Sequence, residues 1–367
     1  MIISRTPYRI SFFGGGTDYP AWYRQHGGAV LAATINKYCY LTCRYMPPFL
    51  EHRIRVVYSR IELCQKVDEI AHPAVREILR YLGIDRGIEI QHGGDLPGRS
   101  GMGSSSAFTV GLLHALYALK GQVVGKKQLA EEGIHLEQDV LKETVGSQDQ
   151  VSAAYGGVNR VGFLQNGDFS VQPMTLSRER LAELNSHLML FYTGIKRTAS
   201  EVASSYVSSM EGRAALLRQM HDYVEQSCAL LNSQQDLAGF GELLHQGWLA
   251  KRALSDKVSN PQVDALYAEA RAAGALGGKL LGAGGGGFIL LFVPPKQRNQ
   301  VRRRLSRLIH VPFEFEFSGS QIIFFDLEED FAEHDQARAS RQFEAFRELN
   351  PDSASATSAP ARPAATP

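Results

Sequence analysis

Glycine is concentrated at three places along this chain of 367 residues, and each place adjoins a strand-like or helix-like run. The first is Gly14-Gly15-Gly16, which ends the β-type stretch Pro7-Tyr-Arg-Ile-Ser-Phe-Phe13 and precedes Thr17-Asp18-Tyr19. The second is Gly101-Met-Gly103, leading through Ser104, Ser105 and Ser106 into an apolar helical pattern. The third runs from Gly282 to Gly287 and feeds Phe288-Ile-Leu-Leu-Phe292. Glycine loses more freedom on folding than any other residue, so such clusters belong where the backbone must turn sharply or let another group approach closely. Any fold for this chain has to use three such places.

The second cluster carries the most explicit chemistry. In Asp95-Leu-Pro-Gly-Arg-Ser-Gly-Met-Gly-Ser-Ser-Ser-Ala-Phe108, glycines and hydroxyls stand at the start of a helix, with Val110, Leu113, Leu116 and Leu119 on one face. The first N–H groups of a helix are unpaired and its dipole favours negative charge there, which makes the segment a natural anion site. A serine cap on a tight turn is the purely structural alternative. The segment is not a GxxxxGK[ST] loop, and Gly121-Gln-Val-Val-Gly125-Lys126-Lys127 departs from that pattern as well. Gly282 to Gly287 matches GxGxxG but precedes a strand instead of following one, so it is no dinucleotide signal. A flexible turn or a close backbone approach remains open for Gly282, Gly284, Gly285 and Gly286.

Two carboxylates lie between these clusters: Asp149, in Gly146-Ser-Gln-Asp149-Gln, and Glu137, near the end of a helical pattern. Phosphoryl transfer needs oxygen donors for a metal and a group that orients or deprotonates the acceptor. Taken singly, Asp149 reads as a cap or turn residue and Glu137 as a solvated helix residue.

Period-two runs predict strands over residues 2–13, 28–44, 53–58 and 87–92, and helices over 73–82, from 104, and over 126–143. Short strands follow near 158–163 and 169–171. A second half opens with the buried-looking His187-Leu-Met-Leu-Phe-Tyr-Thr-Gly194, continues with helical patterns over 200–232, 237–256 and 260–273, and ends in Phe313-Glu-Phe-Glu-Phe317 and Gln321-Ile-Ile-Phe-Phe-Asp-Leu327. Strands and helices mix without strict βαβ alternation, so an α+β fold is expected in place of a doubly wound sheet. Residues 350–367 are rich in Ala, Pro and Ser and read as a disordered tail.

The net charge of +1 gives no field for nucleic acid or an acidic membrane surface. The basic cluster Arg302, Arg303, Arg304 and Arg307 reads as a solvated helix face. Cys39, Cys43, Cys64 and Cys228 have no metal or CxxC spacing and are expected as free thiols in a reducing compartment. With neither a leader pattern nor a membrane-length apolar run, a cytoplasmic, soluble protein is expected.

Taken in order, the three clusters resemble those of the GHMP kinases, over roughly residues 3–327. The resemblance implies a ribosomal-S5-like N-terminal domain (1–183) with the ATP and sugar sites, a ferredoxin-like C-terminal domain (184–330), and a further helix over 331–349. It also implies ATP with Mg²⁺. Pro97, Gly98, Gly101, Met102, Gly103, Ser104, Ser105 and Ser106 would hold the ATP phosphates, and Glu137 with Ser105 (or Ser104) the metal.

The opening stretch is similar to the galactokinase pattern P-G-R-V-N-L-I-G-E-H-T-D-Y. That likeness makes Arg9 the partner of a catalytic Asp149, and Gly14, Gly15, Gly16, Thr17 and Asp18 the sugar loop. Where galactokinases carry Glu-His, this chain has Gly15-Gly16. The missing side chains imply room for a longer sugar and resemble the branch acting on D-glycero-D-manno-heptose 7-phosphate at its anomeric hydroxyl, on the way to nucleotide-activated heptose. Lys196 and Arg197, ahead of Lys37, Arg99 and Lys142, are the candidates for the remote phosphate. L-fucokinase and a catalytically silent sugar sensor are the alternatives. The expected partners are ATP and a small sugar phosphate, with a second copy of the chain as a further candidate.

Overall fold

A computed structural model describes residues 1–326 apart from 48–49, 196–198 and 208–209, together with 331 and 333. The expectations for Lys196, Arg197, the helix over 331–349 and the tail over 350–367 therefore lie outside the described residues, 331 and 333 excepted.

The first sheet grows from a long hairpin. β1 (Ile2–Phe13) and β2 (Gly28–Tyr45) pair antiparallel, from Ile2 opposite Cys43 to Phe13 opposite Leu31. The turn between them holds the first glycine cluster and α1 (Pro20–His26). β3 (Ile54–Val57), β4 (Ile61–Cys64) and β5 (Ile88–Gly94) extend the sheet beyond the C-terminal part of β2. β6 (Val158–Phe163) and β7 (Phe169–Pro173) extend it beyond the N-terminal part. Against one face lie α2 (Pro73–Tyr81), α3 (Ser104–Leu119), α4 (Lys126–His135) and α5 (Gln148–Tyr155), with α3 on β1 and β2. The helix expected to reach Glu143 ends earlier, in a π-type turn over Leu136–Val140.

After α6 (Arg178–His187), the second sheet is β8 (Leu188–Tyr192), β9 (Gly277–Leu280), β10 (Phe288–Phe292) and β11 (Ile309–Val311), antiparallel in the order β11-β8-β10-β9. The helices of this half of the chain are α7 (Ala199–Val207), α8 (Ala214–Asn232), α9 (Ala238–Arg252), α10 (Pro261–Ala272) and α11 (Arg298–Arg304), of which α8 packs on β1, β2 and α9. The helical pattern over 200–232 is thus divided between α7 and α8.

One part of the expected domain division is corrected. β12 (Phe315–Glu316) pairs with β2, and β13 (Gln321–Phe325) pairs with β1. The last described strands of the expected C-terminal domain therefore complete the first sheet. β13 satisfies the open edge of β1, whose backbone groups would otherwise lack partners.

The halves meet through apolar side chains. Phe240 on α9 stands edge-on to Phe12 and Phe13, with ring centroids 5.5 and 5.2 Å away, and also touches Phe292 of β10. Burying such rings stabilises the junction and sets the two halves of the cleft relative to each other.

Candidate active site

Arg9 lies in the middle of β1, where strand alternation and the packing of α3 and α5 bury it. Its guanidinium donates from Nε to Asp149 Oδ1 and from Nη2 to Asp149 Oδ2, both at 2.7 Å. Its third donor, Nη1, reaches the Gly101 carbonyl at 2.7 Å, and its backbone N–H bonds to the Met102 carbonyl. Asp149 sits in the first turn of α5 with its side chain 23% exposed, so a held carboxylate still faces the cleft.

The Gly101 to Ser106 segment forms the adjoining wall. Gly103 takes left-handed angles at the N-cap of α3, and a Cβ there would stand 3.2 Å from Arg9 Cγ and 3.3 Å from Asp149 Oδ2. The glycine lets the helix start come up against the ion pair. Gly101, with φ +84°, packs on the third glycine cluster: its Cβ would meet the Leu281 carbonyl oxygen at 2.6 Å. In return a Cβ on Gly282 would lie 2.5 Å from the Gly101 Cα, and one on Gly287 would lie 2.1 Å from the Ser100 carbonyl oxygen. Gly284 and Gly286 are pressed against the backbones of Val258 and Ile195, and Gly285 donates to the Val258 carbonyl. The third cluster is a buttress behind the second. Pro97 and Gly98 are exposed and Met102 is buried outside the cleft lining, whereas Gly101, Gly103, Ser104, Ser105 and Ser106 line it.

Glu137 is fully buried on the π-type turn. It accepts from Ser106 Oγ at 2.7 Å, Thr109 Oγ1 at 2.9 Å and Gln150 Nε2. Burial pushes its carboxyl up to about 7, opposed by the hydrogen bond from Ser106. The hydroxyl bonded to Glu137 is Ser106, while the expected Ser105 is exposed where it lines the cleft. With 3.6 residues per turn, Ser106 and Thr109 share the helix face that meets Glu137, and Ser105 is rotated away.

The sugar-loop expectation divides. Asp18 is buried and faces the cleft, with Oδ1 accepting from the Gly16 N–H and Oδ2 from Gln148 Nε2, both at 2.8 Å. Burial, helped by the nearby Asp149 charge, raises its carboxyl above the usual range. Gly15 also lines the cleft, and a Cβ there would sit 3.6 Å from Gln148 Nε2 and 3.7 Å from Ser11 Oγ. Gly14 and Thr17 instead build the turn. Thr17 Oγ1 donates to the Gly14 and Ala29 carbonyls, and a Cβ on Gly14 would strike the Ala29 oxygen at 2.0 Å. Gly16 lines the cleft with its backbone, but its Cβ direction is filled by Leu217 and Leu254, at 3.3 and 3.6 Å, and by Met220. Of the two positions expected to leave room, Gly16 is thus filled on its Cβ side, and Gly15 would meet Gln148 and Ser11 at ordinary contact distances.

The cavity has a volume of about 340 Å³ and is walled by both halves of the chain. Tyr206 from α7, Lys251 from α9 and Lys279 from β9 also line it, and the Arg9 charge acts on both lysines. Arg99 and Glu143 also border the cavity, while Lys37 and Lys142 lie outside its lining. Ser11, Gln148, Lys251 and Lys279 are functional candidates that sequence reasoning missed. A lysine inside the otherwise apolar Gly277-Gly-Lys-Leu-Leu281 was the one available signal, because a charge is rarely buried in a strand without a role.

The family pattern described as GHMP kinases N terminal domain matches residues 69–157, and that described as GHMP kinases C terminal matches 225–310. The chain is 27% identical over 319 residues to D-glycero-alpha-D-manno-heptose 7-phosphate kinase of Campylobacter jejuni, spanning 83% of this chain and 93% of that protein. It is 26% identical over 348 residues to L-fucokinase/L-fucose-1-P guanylyltransferase of Bacteroides fragilis, spanning 83% of this chain but 36% of that longer protein. Among solved structures it resembles a D-glycero-D-manno-heptose 1-phosphate kinase from Bacteroides thetaiotaomicron, with TM-score 0.73, 24% identity, and coverage of 89% of this chain and all of that one. It also resembles Lactococcus lactis galactokinase complexed with galactose, with TM-score 0.67, 19% identity, and coverage of 87% and 94%. At these identities the structural likeness speaks to the fold.

Proposed function

Because this chain carries the N- and C-terminal domains of the GHMP kinases and so belongs to that family, we propose that it is an ATP-dependent sugar kinase acting on the anomeric (C1) hydroxyl of D-glycero-D-manno-heptose 7-phosphate. The observation that carries the reading is the Arg9–Asp149 pair, set between an anion-ready helix start at Gly101–Ser106 and the acceptor wall of Gly15 and Asp18. The named heptose 7-phosphate kinase of Campylobacter jejuni supports the choice of sugar.

The unpaired N–H groups of Ser104 to Ser106 receive the ATP phosphates. Asp18 accepts hydrogen bonds from sugar hydroxyls. Asp149 accepts the C1 hydroxyl proton as the oxygen attacks the terminal phosphorus; the new P–O bond forms, the bridging P–O bond breaks, and ADP leaves. Arg9 holds both Asp149 oxygens, so the carboxylate keeps one orientation throughout. Preorganised charge and position supply most of the acceleration in such transfers.

Ser106 and Glu137 are a hydroxyl and a carboxylate, the hard oxygen donors that Mg²⁺ takes; Ser106 stands at the helix start on the cleft and Glu137 is buried behind it on the π-type turn. They would hold the ion. When bound, Mg²⁺ neutralises charge on the phosphate oxygens.

A hexose 1-kinase such as an L-fucokinase is the second reading. It is favoured by one observation: the space beside Gly16 is filled by Leu217, Leu254 and Met220 instead of standing open for a longer sugar. ADP release over heptose 7-phosphate, mannose, galactose and fucose, with NMR of the product, separates the readings. Highest turnover on the heptose, with phosphate on C1, is expected. Preference for fucose selects the second reading, and no ADP release with any sugar removes enzymatic activity in favour of a sensing role.

A further inference from the structure

Two ammonium groups are buried in the cleft wall, and neither is paired with a carboxylate among the described residues. Lys251 and Lys279 are each 5% exposed, and both line the cavity. Lys251 Nζ donates to the carbonyl of Gly282 and, at 3.5 Å, to that of Leu280; Lys279 Nζ donates to the Phe12 carbonyl at 2.9 Å. Carbonyl dipoles offset part of the desolvation penalty, but a buried full charge ordinarily has a counter-ion. The nearby carboxylates are already engaged, Asp149 by Arg9 and Asp18 by the Gly16 N–H and Gln148. Two buried amino groups without a carboxylate partner among the described residues thus line the cavity, and burial pushes both, Lys279 the more strongly, below the usual lysine range, so that an anion there would favour their charged form.

A second observation points to the same space. Among the described residues, Ser11 Oγ and Gln148 Oε1 are buried without a hydrogen-bond partner, although both residues line the cavity. Buried polar atoms are rarely left unpaired, so their position marks where a polar ligand belongs.

We propose that Lys251 and Lys279 form a phosphate-binding subsite, separate from the Gly101–Ser106 turn, with Ser11 and Gln148 receiving hydroxyls next to it. The proposal rests on the kinase reading above and assigns it a cationic wall. Two phosphates have the required chemistry. One is the phosphoryl group in transfer, which lies near Lys251 because Lys251 holds Gly282 and Gly282 abuts Gly101. The other is a phosphate carried by the acceptor, which Lys279 would meet because it is anchored on the strand that presents Ser11.

The test replaces each lysine with methionine, which keeps the length of the stem and removes the charge. Kinetics are measured on heptose 7-phosphate and on an unphosphorylated sugar that the unmodified enzyme accepts. A loss of about tenfold or more in kcat/KM is expected, the size of one hydrogen bond to a charged group. A rise in KM confined to the phosphorylated sugar assigns the subsite to the acceptor phosphate. A fall in kcat on both sugars assigns it to the phosphoryl group in transfer. Unchanged kinetics in folded K251M and K279M overturn the proposal. Should a variant fail to fold, calorimetric titration of inorganic phosphate into the ADP-saturated unmodified enzyme decides: saturable binding supports the subsite and its absence overturns it. That titration needs no sugar turnover, so failure of the kinase reading is recognised separately.

Discussion

Arg9 meets Asp149 through two parallel hydrogen bonds of 2.7 Å across 140 positions of sequence. The same guanidinium binds the Gly101 carbonyl. One side chain thus sets both the carboxylate that would take a proton and the turn that would hold phosphate.

Replacing Asp149 with Asn removes the proton acceptor while keeping the side chain's shape. General-base help contributes about 10²–10⁴-fold, so kcat should fall by that amount with little change in ATP affinity. Steady-state kinetics with a nucleotide-binding titration checks this, and unchanged turnover would take Asp149 out of the mechanism.

Arg9→Lys keeps the charge and loses the fork. A single ammonium cannot hold both Asp149 oxygens and the Gly101 carbonyl together. kcat is expected to drop by roughly 10- to 100-fold, the worth of one to two charge-assisted bonds, with KM for ATP raised because the turn is no longer tethered. Retention of both parameters would show that charge alone suffices.

Gly15 and Gly16 should respond differently to alanine. At Gly15 the new Cβ finds ordinary contact distances, so the variant should melt like the parent and change only the acceptor KM. At Gly16 the φ of +116° and Leu217 at 3.3 Å oppose the methyl group, so stability should fall by about 1–3 kcal/mol. Equal melting temperatures for the two variants would refute this division of roles.

Lys251 supplies a pH signature. Burial, reinforced by the positive Arg9, lowers its ammonium from 10.5 to about 8. Between those values the unfolded chain holds a proton that the folded chain has released, so stability rises with pH there, by roughly 3 kcal/mol in total. Below pH 8 both states are protonated and the buried charge weighs fully on the folded one. In denaturation without phosphate, K251M should therefore be the more stable protein at pH 7, with the gap closing towards pH 10.5. A gap independent of pH would contradict this assignment.

Local patterns were readable without the fold. Alternation marked β1 and β2, helical period marked α3, and the glycine clusters marked the turns, because each depends on neighbours close in sequence. The motif order and the family resemblance brought Arg9, Asp149, Asp18 and Glu137 together on paper. What stayed hidden depends on direction in space. Ser105 and Ser106 are chemically identical, and only the packing of α3 on the π-type turn decides that Ser106 meets Glu137. The strand sequences of β12 and β13 do not say which sheet will take them; the open edge of β1 and the middle of β2 do.

Sequence by itself determined the α+β character, the three glycine turns and the residue types of a phosphoryl-transfer site, since propensity and backbone freedom are local properties. Tertiary structure decided which atoms face the cleft. It filled the space beside Gly16 with Leu217, Leu254 and Met220, made the third glycine cluster a buttress for the second, and brought Lys251 and Lys279 into the cavity that Arg9 lines. Close packing and the pairing of buried polar groups act between residues that are distant in the chain, and no local pattern encodes them.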